Sequence, residues 1–274
     1  MTYLRINAII NAGKKSAAYG GVIQEVKMGG IDIKKLTEHV WLMDDDGSSG
    51  FVVTGEKKAL VIDTMNGGGN VREAAESVTS LPLILVNTHV HPDHIGGNHF
   101  FKEAYMHPAD IALVDVFTAP ENKANAPVLL PVREGDVFDL GGLHAEVYEL
   151  PGHTPGQICL LLREDRILFP GDSINHHLWM QLDGCLSLRE YLKNLERLDF
   201  LKERADFILH GHSRCIEGIE LFDRVEKGIR ELVEQKDMEV TEKDEDYHWF
   251  DGVDKIHVYD SEGNAICYRK DNIF

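Results

Sequence analysis

The sequence predicts an α/β fold in which two mixed β-sheets pack face to face and are covered by helices. Short apolar runs of strand length alternate with stretches of helical composition along most of the chain. Four of these runs end in loops that combine glycine with histidine or aspartate. With 274 residues and 43% hydrophobic content, the chain is long enough to bury a large core. We therefore expect one domain over residues 1–274, in which residues 1–38 form an N-terminal extension and residues 238–274 a C-terminal addition.

The first half of the chain contains four predicted strands and two predicted helices. The strand-like runs lie at residues 40–43, 51–54, 59–62 and 83–87. The turn GEKK joins the second run to the third. Residues 71–80 and 108–117 have helical composition, and a proline-bearing loop covers residues 119–131.

The second half repeats this succession of strands and helices. Strand-like runs lie at residues 137–140, 143–150, 158–163, 166–169 and 207–209. Ser187 and Glu190 form a capping box, which predicts a helix that continues to about residue 201. Residues 219–236 have apolar side chains at helical spacing and predict a second helix.

The two ends of the chain depart from the pattern. After the acidic linker TEKDEDYHWFDG, alternating runs at residues 255–259 and 265–269 are joined by SEGN and predict a terminal β-hairpin. The N-terminal forty residues could contact a second copy of the chain or form a lid, but covering a sheet edge is the simpler expectation. The oligomeric state, a homodimer included, stays open.

A metal-binding motif, THVHPDHIGGN, occupies residues 88–98. The side chains of ligand type within it are His89, His91, Asp93 and His94. Neutral imidazoles and ionised carboxylates hold a borderline cation such as zinc at neutral pH. The two histidines before Pro92 can point the same way from extended backbone, whereas the turn at Pro92 re-aims the two ligands after it. The motif therefore predicts two adjacent metal positions.

Three later strands end in loops of the same kind. His153 lies in PGHTPG and Asp172 lies in PGDS, each directly after a predicted strand. The third strand leads into HGHS, which offers His210 and His212, and His212 is the one that follows the glycine. Because each ligand type follows a strand, the loops are expected to meet at one end of the sheets.

These motifs, together with VIDT at Asp63, resemble those of the metallo-β-lactamase superfamily and, within it, the glyoxalase II-like branch. The resemblance covers about residues 40–218 and implies the four-layer αββα sandwich of that superfamily. It implies two divalent metal ions, with zinc as the first expectation and iron or manganese as alternatives. The implied ligands are His89, His91 and His153 for one ion, Asp93, His94 and His212 for the other, and Asp172 as a bridge. Asp63 is then either a carboxylate that orients a ligand or a turn residue at a strand end.

The resemblance implies a single metallo-hydrolase domain that acts on a small molecule. A hydroxide bridging the two ions is expected to attack an ester, thioester, lactone or lactam. Asp93 and Asp172 are the expected catalytic carboxylates, since both hold metal and one of them could move a proton. Two alternatives share the motifs: a mononuclear iron persulfide dioxygenase, which is an oxidoreductase, and a metal-binding scaffold without catalysis.

Departures from the family pattern argue against three specialised activities for this chain. Zinc β-lactamases carry a cysteine, or no bridging carboxylate, at the position of Asp172. Quorum-quenching lactonases place a tyrosine shortly after that position, where this chain has Ser173, Ile174 and Asn175. Glutathione-thioester hydrolases have a basic C-terminal helical segment, whereas residues 239–246 of this chain are acidic.

The segment at residues 173–186 follows Asp172 and is expected to pass beside the metals. Its candidates for a substrate pocket are His176, His177, Trp179 and Met180, although the loop could instead pack on its own aromatic residues. Arg214, two residues after His212, could bind a substrate carboxylate or be a surface charge.

The formal net charge of −18 comes from 46 acidic and 28 basic residues. A basic stripe that could neutralise phosphates is therefore not expected, and neither is a nucleic-acid or membrane partner. The N-terminus lacks the pattern of a secretory signal, and nowhere do eighteen apolar residues run together. These features favour a soluble cytoplasmic protein.

Overall fold

In the part of the chain that the structure describes, the larger main sheet has eight strands, which follow one another in chain order. The computed structural model describes residues 25–234, 257–261 and 263–274. The strands of this sheet are β1 (Glu25–Met28), β2 (Ile31–Lys35), β3 (Val40–Asp44), β4 (Ser49–Thr54), β5 (Ala59–Ile62), β6 (Leu83–Val86), β7 (Glu103–Met106) and β8 (Val128–Pro131). The pairs from β1 to β5 are antiparallel, and the pairs from β5 to β8 are parallel. The sheet is therefore mixed, as predicted.

The second main sheet, counted over the same described residues, has six strands and is also mixed. Its strands are β9 (Val137–Asp139), β10 (His144–Glu149), β11 (Ile158–Leu162), β12 (Ile167–Phe169), β14 (Phe207–Ile208) and β15 (Glu217–Gly218). They lie in the order β15, β14, β12, β11, β10, β9, and only β12 and β14 pair in parallel. A third, small sheet contains β13 (His177–Trp179), β17 (Asn264–Tyr268) and β16 (His257–Ser261), in that order.

The helices begin where the sequence supplies caps. They are α1 (Val71–Val78), α2 (Pro92–Ile95), α3 (Pro108–Ile111), α4 (Val114–Phe117), α5 (Leu188–Arg197), α6 (Leu201–Arg204) and α7 (Glu220–Glu234). The predicted capping box is present, because the Ser187 hydroxyl accepts the Glu190 backbone N–H at 3.2 Å. Asn70 caps α1 in the same way by accepting the Glu73 N–H at 3.1 Å.

Alternation of side chains along the strands builds four layers. In β5, Leu60 and Ile62 face the core between the two main sheets, whereas Ala59 and Val61 pack toward α1. In β11 the inner residues join the same central core, and the outer residues pack against α5 and α7. Each fully buried aliphatic side chain contributes roughly 1.5–3 kcal/mol through the hydrophobic effect. The result is the αββα sandwich that the sequence predicts.

The predicted elements agree with the structure to within a few residues, with four groups of exceptions. The expected helix at residues 108–117 is two short helices, and the helix expected to reach residue 201 ends at Arg197. The expected loop at residues 119–131 is wrong at its end, because β8 occupies its last four residues. Strands β1, β2, β7, β13 and β15 carry no strong sequence pattern, since each is short and most are only partly buried.

The chain ends are partly described. Strands β16 and β17 form the predicted terminal hairpin, while the acidic linker before it lies outside the described residues. The described part of the N-terminal forty residues includes β1 and β2, which extend the larger sheet along the edge of β3. Among the residues with described structure, no helix is both long and apolar enough to span a bilayer.

Candidate metal centre

Loops from both main sheets converge at one end of the sandwich. His89 follows β6 of the larger sheet, whereas His153, Asp172 and His212 follow β10, β12 and β14 of the smaller one. His91 is the residue before α2, and Pro92 opens that helix, so the chain turns sharply between the two halves of the motif. The predicted ligand loops are therefore brought together.

Three histidines form the first cluster of ligand atoms. The nitrogens of His89, His91 and His153 all lie within 4.8 Å of one another. His91 Nδ1 and His153 Nε2 are 2.9 Å apart. All three side chains are buried. The first cluster is the set of three histidines that the resemblance implies for one ion.

The second cluster contains Asp93, His94, Asp172 and His212, whose ligand atoms also lie within 4.8 Å of one another. The Asp172 carboxylate stands between the two clusters. Its Oδ2 is 3.0 Å from His212 Nε2 and 3.9 Å from His153 Nε2. Its Oδ1 is 3.5 Å from His94 Nε2. Asp172 is thus placed to reach both clusters, as a bridging ligand must.

Oxygen partners hold four of the five histidines in one orientation. The Nδ1 contacts are His89 to Thr88 Oγ1 at 3.0 Å, His94 to Asp63 Oδ2 at 3.0 Å, His153 to the Trp179 carbonyl at 2.7 Å and His212 to the Gly47 carbonyl at 3.0 Å. A carbonyl or carboxylate oxygen can only accept, and the Thr88 hydroxyl donates its own proton to Asp63, so each facing Nδ1 must carry the proton. The Nε2 lone pair is then left to face the cluster, which is the tautomer a metal requires.

Asp63 fits the orienting role. Its Oδ1 accepts the Thr88 backbone N–H at 2.7 Å, and its Oδ2 accepts the Thr88 hydroxyl at 2.7 Å and faces His94 Nδ1 at 3.0 Å. Asp63 also sits directly after β5 with a φ of 59°. The two sequence expectations for this residue are therefore compatible, because a turn at the strand end aims the carboxylate at His94.

The buried polar atoms of the centre test whether metal ions fit. His89 Nε2, His94 Nε2 and Asp172 Oδ1 are buried and make no hydrogen bond to any residue that the structure describes. Buried polar atoms without a partner are costly, whereas one cation in each cluster would give all three atoms a partner. A donor set of imidazole nitrogens and carboxylate oxygens suits zinc and other first-row divalent ions. The residues present therefore fit the two ions that the sequence implies.

The two clusters differ in their electrostatics. Burial, with repulsion from neighbouring histidines, lowers the pKa of His91 to about 3 and holds the pKa of His89 well below its usual range. In His94, burial is outweighed by the carboxylates of Asp172 and Asp93, which raise the pKa. Burial alone would raise the pKa of Asp93, but His94 lowers it to about 2. The first cluster thus offers neutral imidazoles and the second ionised carboxylates.

Exposure defines the open side of the centre. The side chains of Asp93 and His212 are 33% and 37% exposed, whereas that of His94 is fully buried. Asp172 is 11% exposed and lies deeper. A small molecule that reaches the two clusters must therefore approach over Asp93 and His212.

Comparison with known proteins places the chain in a family. The family model of the metallo-beta-lactamase superfamily matches residues 43–212, which contain all seven residues of the two clusters. This chain belongs to the metallo-β-lactamase superfamily. Acyl-coenzyme A thioesterase MBLAC2 of Gallus gallus is 31% identical over 196 residues, which cover 59% of this chain and 71% of that protein. Hydroxyacylglutathione hydrolase GloC of Haemophilus influenzae is 32% identical over 133 residues, 43% of this chain and 61% of that protein.

A solved metallo-beta-lactamase from Pontibacter korlensis superposes with a TM-score of 0.61 and 20% sequence identity. The superposition covers 73% of this chain and 99% of that one. Identity this low shows the fold alone. It agrees with the αββα sandwich of the superfamily.

The candidate metal centre leaves no room for a side chain at Gly211. A methyl group there would overlap the Asp172 carboxylate and the His94 ring. We expect Gly211→Ala to displace both groups, so that metal content falls from about two ions per chain to about one. Elemental analysis by mass spectrometry measures this content. Gly68→Ala, where a methyl group meets open space, is the matched control and keeps both ions. Two ions in Gly211→Ala would contradict the expectation.

Nothing in the sequence pattern marks Asp110, a buried carboxylate that joins two ligand loops. Its Oδ2 accepts the Val90 backbone N–H at 3.0 Å and the Thr154 hydroxyl at 2.7 Å, and its Oδ1 accepts the Gly156 N–H at 2.7 Å. Val90 lies between the first two ligands of the first cluster, and Thr154 directly follows the third. The surrounding letters HPADI predict only a helix start, so the connection becomes visible only in three dimensions.

We expect Asp110→Asn to weaken binding of the ion in the first cluster by about ten- to a hundredfold, the usual cost of losing a partner outside the ligand shell. An asparagine amide would turn a donor toward N–H groups that need an acceptor. Competition with a chromophoric chelator measures the affinity. Thr154→Val removes one of the three hydrogen bonds and should have a smaller effect in the same direction. An unchanged affinity in Asp110→Asn would refute this role.

Met180 is wrongly predicted to line the pocket. It is fully buried in the core that α5 and α7 form against the smaller sheet. The reason is the alternation along β13, which turns Leu178 and Met180 inward and leaves His177 and Trp179 on the other face. The carbonyl of Trp179 contacts His153, so this segment does pass beside the ligands. Whether His177 and Trp179 touch a substrate stays a prediction.

The other three candidates have protein partners. Arg214 Nε is 2.6 Å from Asp44 Oδ2, which favours the alternative that it is a charge paired within the protein. His210 lies outside both clusters, with its Nε2 2.8 Å from Glu217 Oε1. His176 contacts the same carboxylate through its Nε2.

Proposed function

We propose that this chain is a metal-dependent hydrolase that cleaves a small-molecule thioester with two divalent ions, most simply zinc. The observation that carries the proposal is the pair of complete ligand clusters with Asp172 between them, open to solvent at Asp93 and His212. Two relatives in the superfamily, the thioesterase of Gallus gallus and the hydroxyacylglutathione hydrolase of Haemophilus influenzae, are named for thioester hydrolysis. A thioester is therefore favoured over the ester, lactone and lactam alternatives.

The ligand assignment follows the clusters. His89, His91 and His153 would hold one ion, Asp93, His94 and His212 the other, and Asp172 both. When bound, the ions would act as Lewis acids that polarise a carbonyl oxygen and lower the pKa of water to about 7. This chemistry makes a serine or cysteine nucleophile unnecessary.

The chain's own carboxylates hold the ions and move the proton. Asp172, whose side chain is 11% exposed, would contact the ions of both clusters, and its burial excludes bulk water from that side. Water adds to the thioester carbonyl, the carbon–sulfur bond breaks, and the sulfur leaves with the bonding electrons. Asp93 Oδ2, on the open side, is 3.5 Å from His94 Nε2 and 3.6 Å from His212 Nε2. We assign to this oxygen the transfer of one proton from the attacking water to the departing sulfur. The products are a carboxylate and a thiol, and the second proton of the water is released to solvent.

The test combines metal analysis with thiol release. The full chain, purified without added metal, is assayed on an acyl-coenzyme A and on a hydroxyacylglutathione with a thiol-reactive dye. We expect about two ions per chain, and thiol release that stops with a chelator and returns with Zn²⁺. No thiol release from either substrate by fully loaded protein would overturn the proposal. One iron per chain with oxygen uptake on glutathione persulfide would instead support the mononuclear dioxygenase.

A further inference from the structure

The C-terminal strand β17 lies beyond the part of the chain that the family model matches, yet it gives β13 its strand conformation. It pairs in parallel with β13, in the register His177 to Ala265 and Trp179 to Cys267. Two backbone hydrogen bonds of 2.8 Å close the pair, from Ala265 to the His176 carbonyl and from Met180 to the Cys267 carbonyl. In the described residues, β17 is the one strand paired with β13.

One connection from this strand pair leads to the first cluster. The Trp179 carbonyl, the last of β13, accepts the Nδ1–H of His153 at 2.7 Å. That contact fixes the tautomer of the ligand and the direction of its Nε2, which lies 2.9 Å from His91 Nδ1. The position of the carbonyl is in turn set by the pairing of Trp179 with Cys267. The orientation of His153 therefore depends on β17 through backbone contacts.

A second connection leads to the other cluster through side chains. Asn264, the first residue of β17, is buried and places its Oδ1 2.8 Å from His176 Nδ1. His176 Nε2 contacts Glu217, whose other oxygen is 2.8 Å from His210 Nε2. The Nδ1 of His210 accepts the backbone N–H of His212 at 3.2 Å. The series of contacts ends at a metal ligand.

His176, His210 and Glu217 could by their spacing hold a third cation, since their ligand atoms lie within 4.8 Å of one another. The hydrogen bonds argue against that use. Because His210 Nδ1 accepts an N–H from His212, the ring proton resides on Nε2 and is donated to Glu217. That nitrogen then has no lone pair for a metal. The cluster is better explained as a connection than as a site.

The far end of the connection is anchored in the core. Ile266 and Tyr268 of β17 are buried among the residues of α5 and α7. Beyond the strand, the Arg189 backbone N–H donates to the Ile273 carbonyl at 3.0 Å, and the Asn272 amide donates to the carbonyl of Met180 at 3.2 Å. β17 is therefore held independently of the metal centre and can serve as a fixed reference for it.

We infer that β17 is a positioning element for the metal centre. Its pairing with β13 orients His153, and Asn264 orients His212 through His176, Glu217 and His210. The inference rests on the ligand assignment proposed above. Asn264 is a positioning residue, since it touches neither the clusters nor a reacting atom.

The test uses the full-length chain stripped of metal and reloaded in steps. Zn²⁺ affinities are measured by competition with a chromophoric chelator, and Co²⁺ absorption spectra report the geometry around the ion. Asn264→Ala should lower the Zn²⁺ affinity of the cluster that contains His212 by about tenfold and shift the cobalt spectrum. Loss of a hydrogen bond outside the ligand shell typically lowers metal affinity by that factor. Asn264→Asp keeps an oxygen facing His176 and should restore both.

Two controls separate positioning from general stability. Ile266→Val trims a buried methyl group from the same strand and should lower the melting temperature without changing either Zn²⁺ affinity. Arg269→Ala removes an exposed ion pair with Asp183 and should change neither quantity. Wild-type affinities and spectrum in Asn264→Ala would overturn the inference, as would an equal loss of affinity in Ile266→Val. Failure of the wild type itself to bind two ions would refute the ligand assignment instead.

Discussion

Asp172→Asn should bind about one metal ion per chain where the wild type binds about two, and should lose most of its hydrolytic activity. Asparagine is nearly identical to aspartate in shape but carries no charge. The carboxylate of Asp172 lies within 4 Å of nitrogens from both clusters, so its negative charge is what offsets the repulsion between two cations held close together. Elemental analysis of wild type and variant, prepared side by side, measures the change.

The control for charge loss is Asp206→Asn. Asp206 pairs with Arg166 on the surface and contacts neither cluster, so its variant should keep both ions and full activity. A fall from about one ion to almost none in Asp172→Asn would instead indicate that the wild type has a single ion, as an iron dioxygenase has. That result would refute the proposal of a dinuclear hydrolase.

His89→Ala and His153→Ala should each remove one ion and reduce hydrolysis by several orders of magnitude, on the order of the effect of losing a metal-activated nucleophile. Both histidines are buried in the first cluster, and the methyl group of alanine offers no lone pair to an ion. The fold should remain, because the core between the two sheets is large and contains neither residue. Thiol release, metal content and circular dichroism measured on the same samples separate these effects.

His144→Ala is the matched control for histidine loss. His144 pairs with Glu164 at the surface, far along β10 from the centre, and its variant should retain both ions. Near-wild-type hydrolysis by His89→Ala or His153→Ala at equal metal content would mean that the ligands are wrongly assigned.

The residues that form the two clusters could be predicted because the sequence signal for each of them is local. Each follows a strand in a short loop with glycine or proline, so the letters around His89, His153 or Asp172 suffice to indicate both the residue type and its place at a strand end. Asp110 and Glu217 could not be predicted in this way. Their partners are 20 to 46 residues away for Asp110, and Glu217 meets His176 across 41 residues. No local pattern encodes such contacts.

The strands, too, divide into those with a local sequence signal and those without one. Strands buried on both faces, such as β5 and β11, have continuous apolar sequences and are easily recognised. Strands at the edges or in the small sheet have mixed patterns, and β13 contains only three residues that become a strand because β17 pairs with them. The prediction for Met180 is wrong for this reason, since Met180 is held by a segment far along the chain that includes Asn272, 92 residues away.

The first cluster joins His91, in a loop that follows the larger sheet, with His153, in a loop of the smaller one, 62 positions apart in the chain. An ion held there closes that stretch into a ring, much as a disulfide would. The chain-entropy model gives about 4 kcal/mol for a ring of this size, taken from the unfolded state. The ion would then be a cross-link as well as a participant in the reaction. Depletion of the metal would therefore shorten the lifetime of the protein in the cell as well as abolish its activity.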